Sequence, residues 1–184
     1  MNAVPRMHQA VAAAVFIALL GCQCATAVDL PKRKPGQWQI TLTSDDPRVP
    51  ARTEDVCLDA ATDALLDRFA LGASRQLCSR FDWKRLDADR ASVEAECKLG
   101  ATQMTIRGDV AFVGDTAYRE QIRTHYDPPL RGRSDRLSVH EARWMGACAP
   151  DMKPGDVVSR PSPMLPTGMK INLKDVAGAE QAAR

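Results

Sequence analysis

The sequence predicts a mainly β fold: a curved antiparallel sheet or small barrel of about six or seven strands, with one short helix and an extended proline-rich C-terminal tail. Three observations predict it. Apolar side chains alternate at a period of two through most of residues 36–147, turn-forming residues separate the alternating runs, and a helical period appears only once, after Leu58. Strands with one apolar face each need a second layer or closure to hide that face.

The chain opens with "AVAAAVFIALLG", Ala10–Gly21, an uncharged run after Arg6. It is shorter than the roughly 20 residues a bilayer-spanning helix needs. It has the length of a signal-peptide core, and Ala25-Thr26-Ala27 supplies small residues for cleavage before Val28. Residues 1–27 are therefore read as a signal peptide, 28–148 as a β-rich domain and 149–184 as an extended or partly disordered tail. The alternative is lipidation of Cys22 after "ALLG", giving a lipid-anchored envelope protein in place of a soluble periplasmic or secreted one.

In "KPGQWQITL" the Pro35-Gly36 pair breaks the chain, and Trp38, Ile40 and Leu42 then alternate with Gln39 and Thr41. "TEDVCL", Thr53–Leu58, is a second short strand. "DAATDALLDRFA" places Ala61, Leu65, Leu66 and Phe69 on one stripe, with Asp59 as N-cap and Gly72 beyond the end, which predicts a helix over Asp59–Ala70. Phe81 and Trp83, then Val93, Ala95, Cys97 and Leu99, form a hairpin about "DADR", with Lys84 and Arg85 facing Glu94 and Glu96. A second hairpin turns at Gly114-Asp115, joining Met104, Ile106, Val110 and Phe112 to Tyr118, Ile122 and Tyr126. "DPPLRGR" should break that strand, since proline donates nothing to a ladder. A last strand runs from about Arg136 to Ala147 through Trp144. Five of the twelve prolines lie between Pro150 and Pro166, with little apolar periodicity, which predicts a strap outside the core.

Charge and cysteines exclude some classes. Without residues 1–27 the chain carries 24 Lys plus Arg (25 less Arg6) against 23 Asp plus Glu, so nothing calls for nucleic acid or an anionic membrane. No stable membrane span is expected. Four cysteines remain, Cys57, Cys78, Cys97 and Cys148, an even number that fits an oxidising compartment. Their gaps of 21, 19 and 51 fit no zinc module.

The order of the strands favours Cys78 with Cys97 and Cys57 with Cys148. The "DADR" hairpin brings Cys78 and Cys97 to one end of the sheet, and Cys148 falls at the other. Matching Trp83 to Val93 sets Cys97 opposite Ser79, so this pairing requires a bulge near Ser79. The rival, Cys57 with Cys78 and Cys97 with Cys148, stays open.

The segments "RKPGQWQI", "VCLDAATDALL", "CSR", "EC", "VGDTAYR", "YDPPL", "ARWMGAC", "KPGD" and "MKINLKDV" occur in that order. Together they resemble the bacterial exported proteins grouped as domain of unknown function 3617. The matching residues are Pro35, Gly36, Trp38, Cys57, Cys78, Cys97, Gly114, Tyr118, Trp144, Gly146 and Cys148. The resemblance implies export, cysteine bridging and a β-rich fold, and brings no activity. Where the family is expected to read "PGLWE", this chain has Gln37 and Gln39, so the outer face of that strand is neutral here.

Candidate chemistry is sparse. No G-x-S-x-G elbow occurs, and Ser134 and Ser138 near His125 and His140 read as ordinary strand serines. His125 and His140, with Asp127 and Glu141, are the low-ranking candidates for a metal, but strand parity sends the two imidazoles to opposite faces. No catalytic residue, resident metal or cofactor is expected. Arg119, Arg123 and Arg143, from an arginine-rich stretch, are candidates to face an anionic ligand, and Trp38, Trp83 and Trp144 to line an apolar pocket. The expected role is non-catalytic binding of a small apolar or anionic ligand or of an envelope protein. The alternative is an enzyme of unrecognised type, a hydrolase or metal-dependent, using His125 or His140.

Overall fold

A computed structural model describes residues 30–70, 77–161 and 166–182. The segment read as a signal peptide, Cys22, and Gly72 as the expected end of the helix lie outside the described residues. Among those described, nine strands form one antiparallel sheet: β1 (Gly36–Ser44), β2 (Arg52–Leu58), β3 (Cys78–Arg85), β4 (Arg90–Leu99), β5 (Thr102–Val113), β6 (Ala117–Leu130), β7 (Arg133–Gly146), β8 (Asp156–Ser159) and β9 (Met169–Asn172). Their order is β3-β4-β5-β6-β7-β1-β2-β8-β9. β3 and β9 are edges, so the sheet is open and not a closed barrel. Helices α1 (Asp63–Ala70) and α2 (Leu173–Ala182) lie against each other.

The alternation decides which face is inside. Register aligns Trp38 with Val56 and Trp144, Leu42 with His140, His140 with Glu120, and Ile122 with Gly108. These positions share one face because side chains repeat every second residue. One buried cluster on it joins Trp38, Ile40, Val56, Leu58, Phe112 and Tyr118 to Leu66 of α1. A second, separate cluster holds Ala95, Cys97, Ile106 and Ile122. The opposite face carries exposed charge pairs, such as Arg119 with Glu141.

The sheet curls. Glu54 of β2 and Cys97 of β4 line one cavity, although five strand spacings, about 24 Å across a flat sheet, separate them. Helix α1 is seated in the hollow by Arg33, which donates from Nη1 to Asp63 Oδ1 at 2.7 Å and from Nη2 to Asp67. Its guanidinium lies 4.7 Å from the centre of the Tyr118 ring. Burial opposes the Arg33 charge, but Asp67, Tyr118 and Asp63 outweigh it and raise its pKa; burial also pushes the Tyr118 phenol up.

Both cysteine pairs are those favoured by the strand order: Cys57 with Cys148 and Cys78 with Cys97. Trp83 faces Val93, and the β3–β4 register shifts between Cys78 and Arg80, so Ser79 is the bulged residue that restores Cys78 opposite Cys97. The ion pairing of this hairpin follows expectation in part. Lys84 Nζ lies 4.0 Å from Glu94, as expected; Arg80 also reaches Glu94 and Glu96, and Arg85 donates to the Asp87 carbonyl.

Three further expectations are corrected in whole or in part. The helix begins at Asp63, because Asp59 caps a preceding turn: its Oδ1 accepts from the Thr62 amide at 2.8 Å and the Ala61 amide at 3.1 Å. Thr62 is fully buried there and Ala61 is exposed, so Ala61 is not on the packed stripe. "DPPLRGR" does interrupt the ladder, but β6 ends within it at Leu130 and not at the prolines. The prolines interrupt pairing after His125, and it resumes at Leu130 with Arg133. Of residues 149–184, those described are not a strap outside the core. They supply β8, β9 and α2, and bury Val157 and Leu173 at 1% and 2% exposure. Gly155 turns the chain into β8, donating to the Cys57 carbonyl at 2.7 Å. Its φ is +97°, and a Cβ there would lie 2.9 Å from Asn172 Oδ1, so only glycine fits comfortably.

Candidate functional site

The two clusters of the inner face do not meet across its whole width. Between them lies a cavity of about 410 Å³, within the range of small-molecule sites. Ile40 and Leu42 of β1 and Leu66 and Phe69 of α1 form one wall, and Cys97, Met104, Ile106 and Ile122 form the other. The polar stretch of the lining comes chiefly from β7 and β2: Arg136, Ser138 and His140, with Arg52 and Glu54.

Strand parity explains how polar groups come to face inward. On β6 and β7 even-numbered residues share the face of Tyr118 and Ala142, so Glu120, Thr124, Arg136, Ser138 and His140 point the same way. Each buried charge then needs a partner. His140 Nδ1 lies 3.0 Å from Glu120 Oε2, with both side chains buried. Arg52 donates from Nε to Glu54 Oε1 at 3.0 Å, and the Ser159 hydroxyl also donates to that oxygen. Arg136 differs. Its guanidinium sits 5.8 Å from the centre of the Tyr126 ring, and among the described residues its buried Nε has no acceptor. An unmet buried donor costs on the order of 1–3 kcal/mol.

The residues singled out from sequence fall in three places. Trp38 is in the core and donates to the Lys34 carbonyl at 2.9 Å. Trp144 donates to the Pro35 carbonyl at 3.1 Å and lies beneath Lys34 Nζ. Trp83 packs edge-on to Phe81. None of the three lines this cavity. Arg119 and Arg123 are on the outer face, 3.2 Å from Glu141 and 3.9 Å from Asp109, and Arg143 is exposed on the same side. The tryptophans and arginines therefore do not form one surface.

His125 pairs with Asp135 on the outer face at 2.9 Å, and His140 is inside, so the two histidines are apart. Among the described residues, no three of His, Cys, Asp and Glu gather as metal ligands. Ser138 shares the cavity with His140, but no hydrogen bond joins them. Arg136 belongs to the arginine-rich stretch read from sequence but was not among the three arginines put forward from it, and the pairing of His140 with Glu120 was not foreseen, although the inward parity of all three was there to be read.

Residues 33–148 match the family model described as protein of unknown function, DUF3617. The chain belongs to that family. The DUF3617 span runs from Arg33, which seats α1, to Cys148, which closes the longer bridge. It leaves β8, β9 and α2 outside. No curated protein and no solved structure matches the chain. The DUF3617 chain is thus a disulfide-stabilised β module, and among its described residues no helix is long and apolar enough to cross a membrane.

Proposed function

We propose that this protein is an exported, non-catalytic binding module that takes a small, largely apolar ligand into the cavity beneath α1. The observation that carries the reading is the cavity itself: about 410 Å³ between two apolar clusters, walled on both sides by aliphatic and aromatic side chains. A small domain gains stability by closing such a space with side chains. Leaving it open beside a framework held by two bridges favours a site over a packing defect.

Export is supported by the two bridges, which fit an oxidising compartment, and by the uncharged segment ahead of Ala27. Mass spectrometry of the envelope form should find Val28 at the N-terminus; a diacylglyceryl group on Cys22 would replace the soluble form by the lipid-anchored one.

The binding reading is tested with N-phenyl-1-naphthylamine, a neutral apolar dye whose emission rises out of water. One saturable site is expected on the oxidised protein. Ile106→Trp, which fills the cavity from one wall, should abolish it while leaving both bridges and the β-sheet circular dichroism intact. Binding that does not saturate, or that Ile106→Trp leaves unchanged, would refute the cavity as the site. Turnover of acyl esters lost in His140→Gln would move the protein to the enzyme class.

A further inference from the structure

We infer that the ligand of this cavity is an aliphatic chain ending in a carboxylate, and that Arg136 is the residue that holds the head group. The inference rests on the binding reading above and adds the chemistry of what is bound.

The charged groups around the cavity are unequal. Arg52 and Glu54 bond each other, and His140 bonds the buried Glu120. Arg136 lines the same cavity and makes no ion pair with any described residue. Its Nε is buried without an acceptor. A guanidinium keeps its charge at any physiological pH and is satisfied best by a planar acceptor that takes two of its N–H groups at once. A carboxylate has that shape.

The surroundings fix where such a group would sit. Register places Thr124 directly across from Arg136, and Tyr126, two residues along the same strand, lies against its guanidinium. Ring and strand together limit the side chain's freedom, so little ordering is left for the ligand to impose. Away from Arg136 the lining turns aliphatic, through Ile122, Ile106 and Met104 to Leu66 and Phe69. A cavity with one unpaired cation and apolar walls selects an amphipathic anion. A neutral chain would leave the guanidinium unmet, and a compact inorganic anion would leave the walls empty.

Displacement of N-phenyl-1-naphthylamine from the oxidised protein tests this, using dodecanoate, dodecanol and dodecyltrimethylammonium at fixed salt and below their micelle concentrations. Dodecanoate is expected to displace the dye at roughly tenfold lower concentration than dodecanol, with the cation weakest, because a charge-assisted pair is worth about that factor. Arg136→Gln should bring dodecanoate to the level of dodecanol and leave dodecanol unchanged. Arg119→Gln, on the outer face, should change neither. Equal displacement by dodecanoate and dodecanol in the unaltered protein would overturn the head-group inference while the cavity reading stands. Dye binding with no displacement by any of the three would overturn the inference too. Absence of dye binding would overturn both readings. If Arg136→Gln fails to fold, the rank order of the three probes on the unaltered protein decides by itself.

Discussion

The half of the sheet under α1 and the half beyond it are built differently. Under α1, strands β1, β2, β7 and β8 pack Trp38, Val56, Leu58 and Val157 against Leu66, and α2 adds Leu173. Beyond it, β4, β5 and β6 reach that cluster at one end only, through Ala91, Val110, Phe112 and Tyr118; at the other end they bury Ala95, Cys97, Ile106 and Ile122 as a separate group, and β3 at the edge keeps Phe81 and Trp83 half-exposed. The first half has a second layer and the other lacks one. The difference shows how a single curled sheet combines a rigid body with a cavity: helices cover part of the inner face, and the uncovered remainder curls around a space left unfilled. Each half also has its own covalent tie, Cys57–Cys148 in the packed half and Cys78–Cys97 in the thin one.

The largest expected effect comes from cutting those ties one at a time. The bridges span sequence separations of 91 and 19. Loop entropy makes the first worth about 4–5 kcal/mol and the second about 3 kcal/mol. Both are large against a typical domain margin of about 5–15 kcal/mol. Cys57→Ser with Cys148→Ser should lower the urea midpoint more than Cys78→Ser with Cys97→Ser. The reverse order would mean that the thin half, having fewer packed contacts, depends more on its bridge than chain entropy alone predicts.

Truncating one residue in each half sharpens the same contrast. Leu58, 2% exposed, is enclosed by the packed cluster, and Leu58→Ala should cost about 3–5 kcal/mol, since the new void is lined on all sides. Ile106, 5% exposed, borders the existing cavity. Part of its surface faces no partner atoms, so Ile106→Ala forfeits fewer contacts and should cost about 2 kcal/mol. Equal costs in chemical denaturation would show that the cavity wall is packed as tightly as the core.

How much of this was legible depended on the length of the repeating pattern. The bulge at Ser79 could be counted in advance, because a strict period of two leaves no freedom once Trp83 is matched to Val93. The inward parity of Glu120, Arg136 and His140 was equally countable. What the alternation lacks is any measure of curl, or of where α1 comes to rest, and those two facts separate a cavity from a filled core. The C-terminal elements were illegible for a different reason. Val157, Ile171 and Leu173 are spread among prolines, and β8 and β9 are four residues each, too short for a period to register. They form because β2 offers an unpaired edge on which Val157 and Val158 pair with Val56 and Asp55.

The smallest expected effect tests whether that C-terminal segment belongs to the packed half energetically as well as in space. Asp156 opens β8 with its carboxylate turned back into the segment. It accepts from the Lys153 amide at 2.8 Å and from Asn172 Nδ2 at 2.9 Å, and lies 3.0 Å from Lys170 Nζ. The Lys153 amide bond, with help from Asn172 and Lys170 and against partial burial, holds its pKa down from 3.8 to about 2. A carboxylate held below its unfolded value adds stability that is fully present above that value and is lost as pH falls through the folded one. Asp156→Asn should therefore destabilise by about 1 kcal/mol at neutral pH, a modest figure because Lys170 is half-exposed and solvent screens its charge. The gap in melting temperature between Asp156→Asn and the unaltered protein should stay constant down to about pH 4 and close between there and about pH 2. A gap that persisted unchanged at pH 2 would show that the carboxylate's charge is not what fastens β8 and β9 to the sheet, and would leave the neutral Asn172 and backbone contacts to do so.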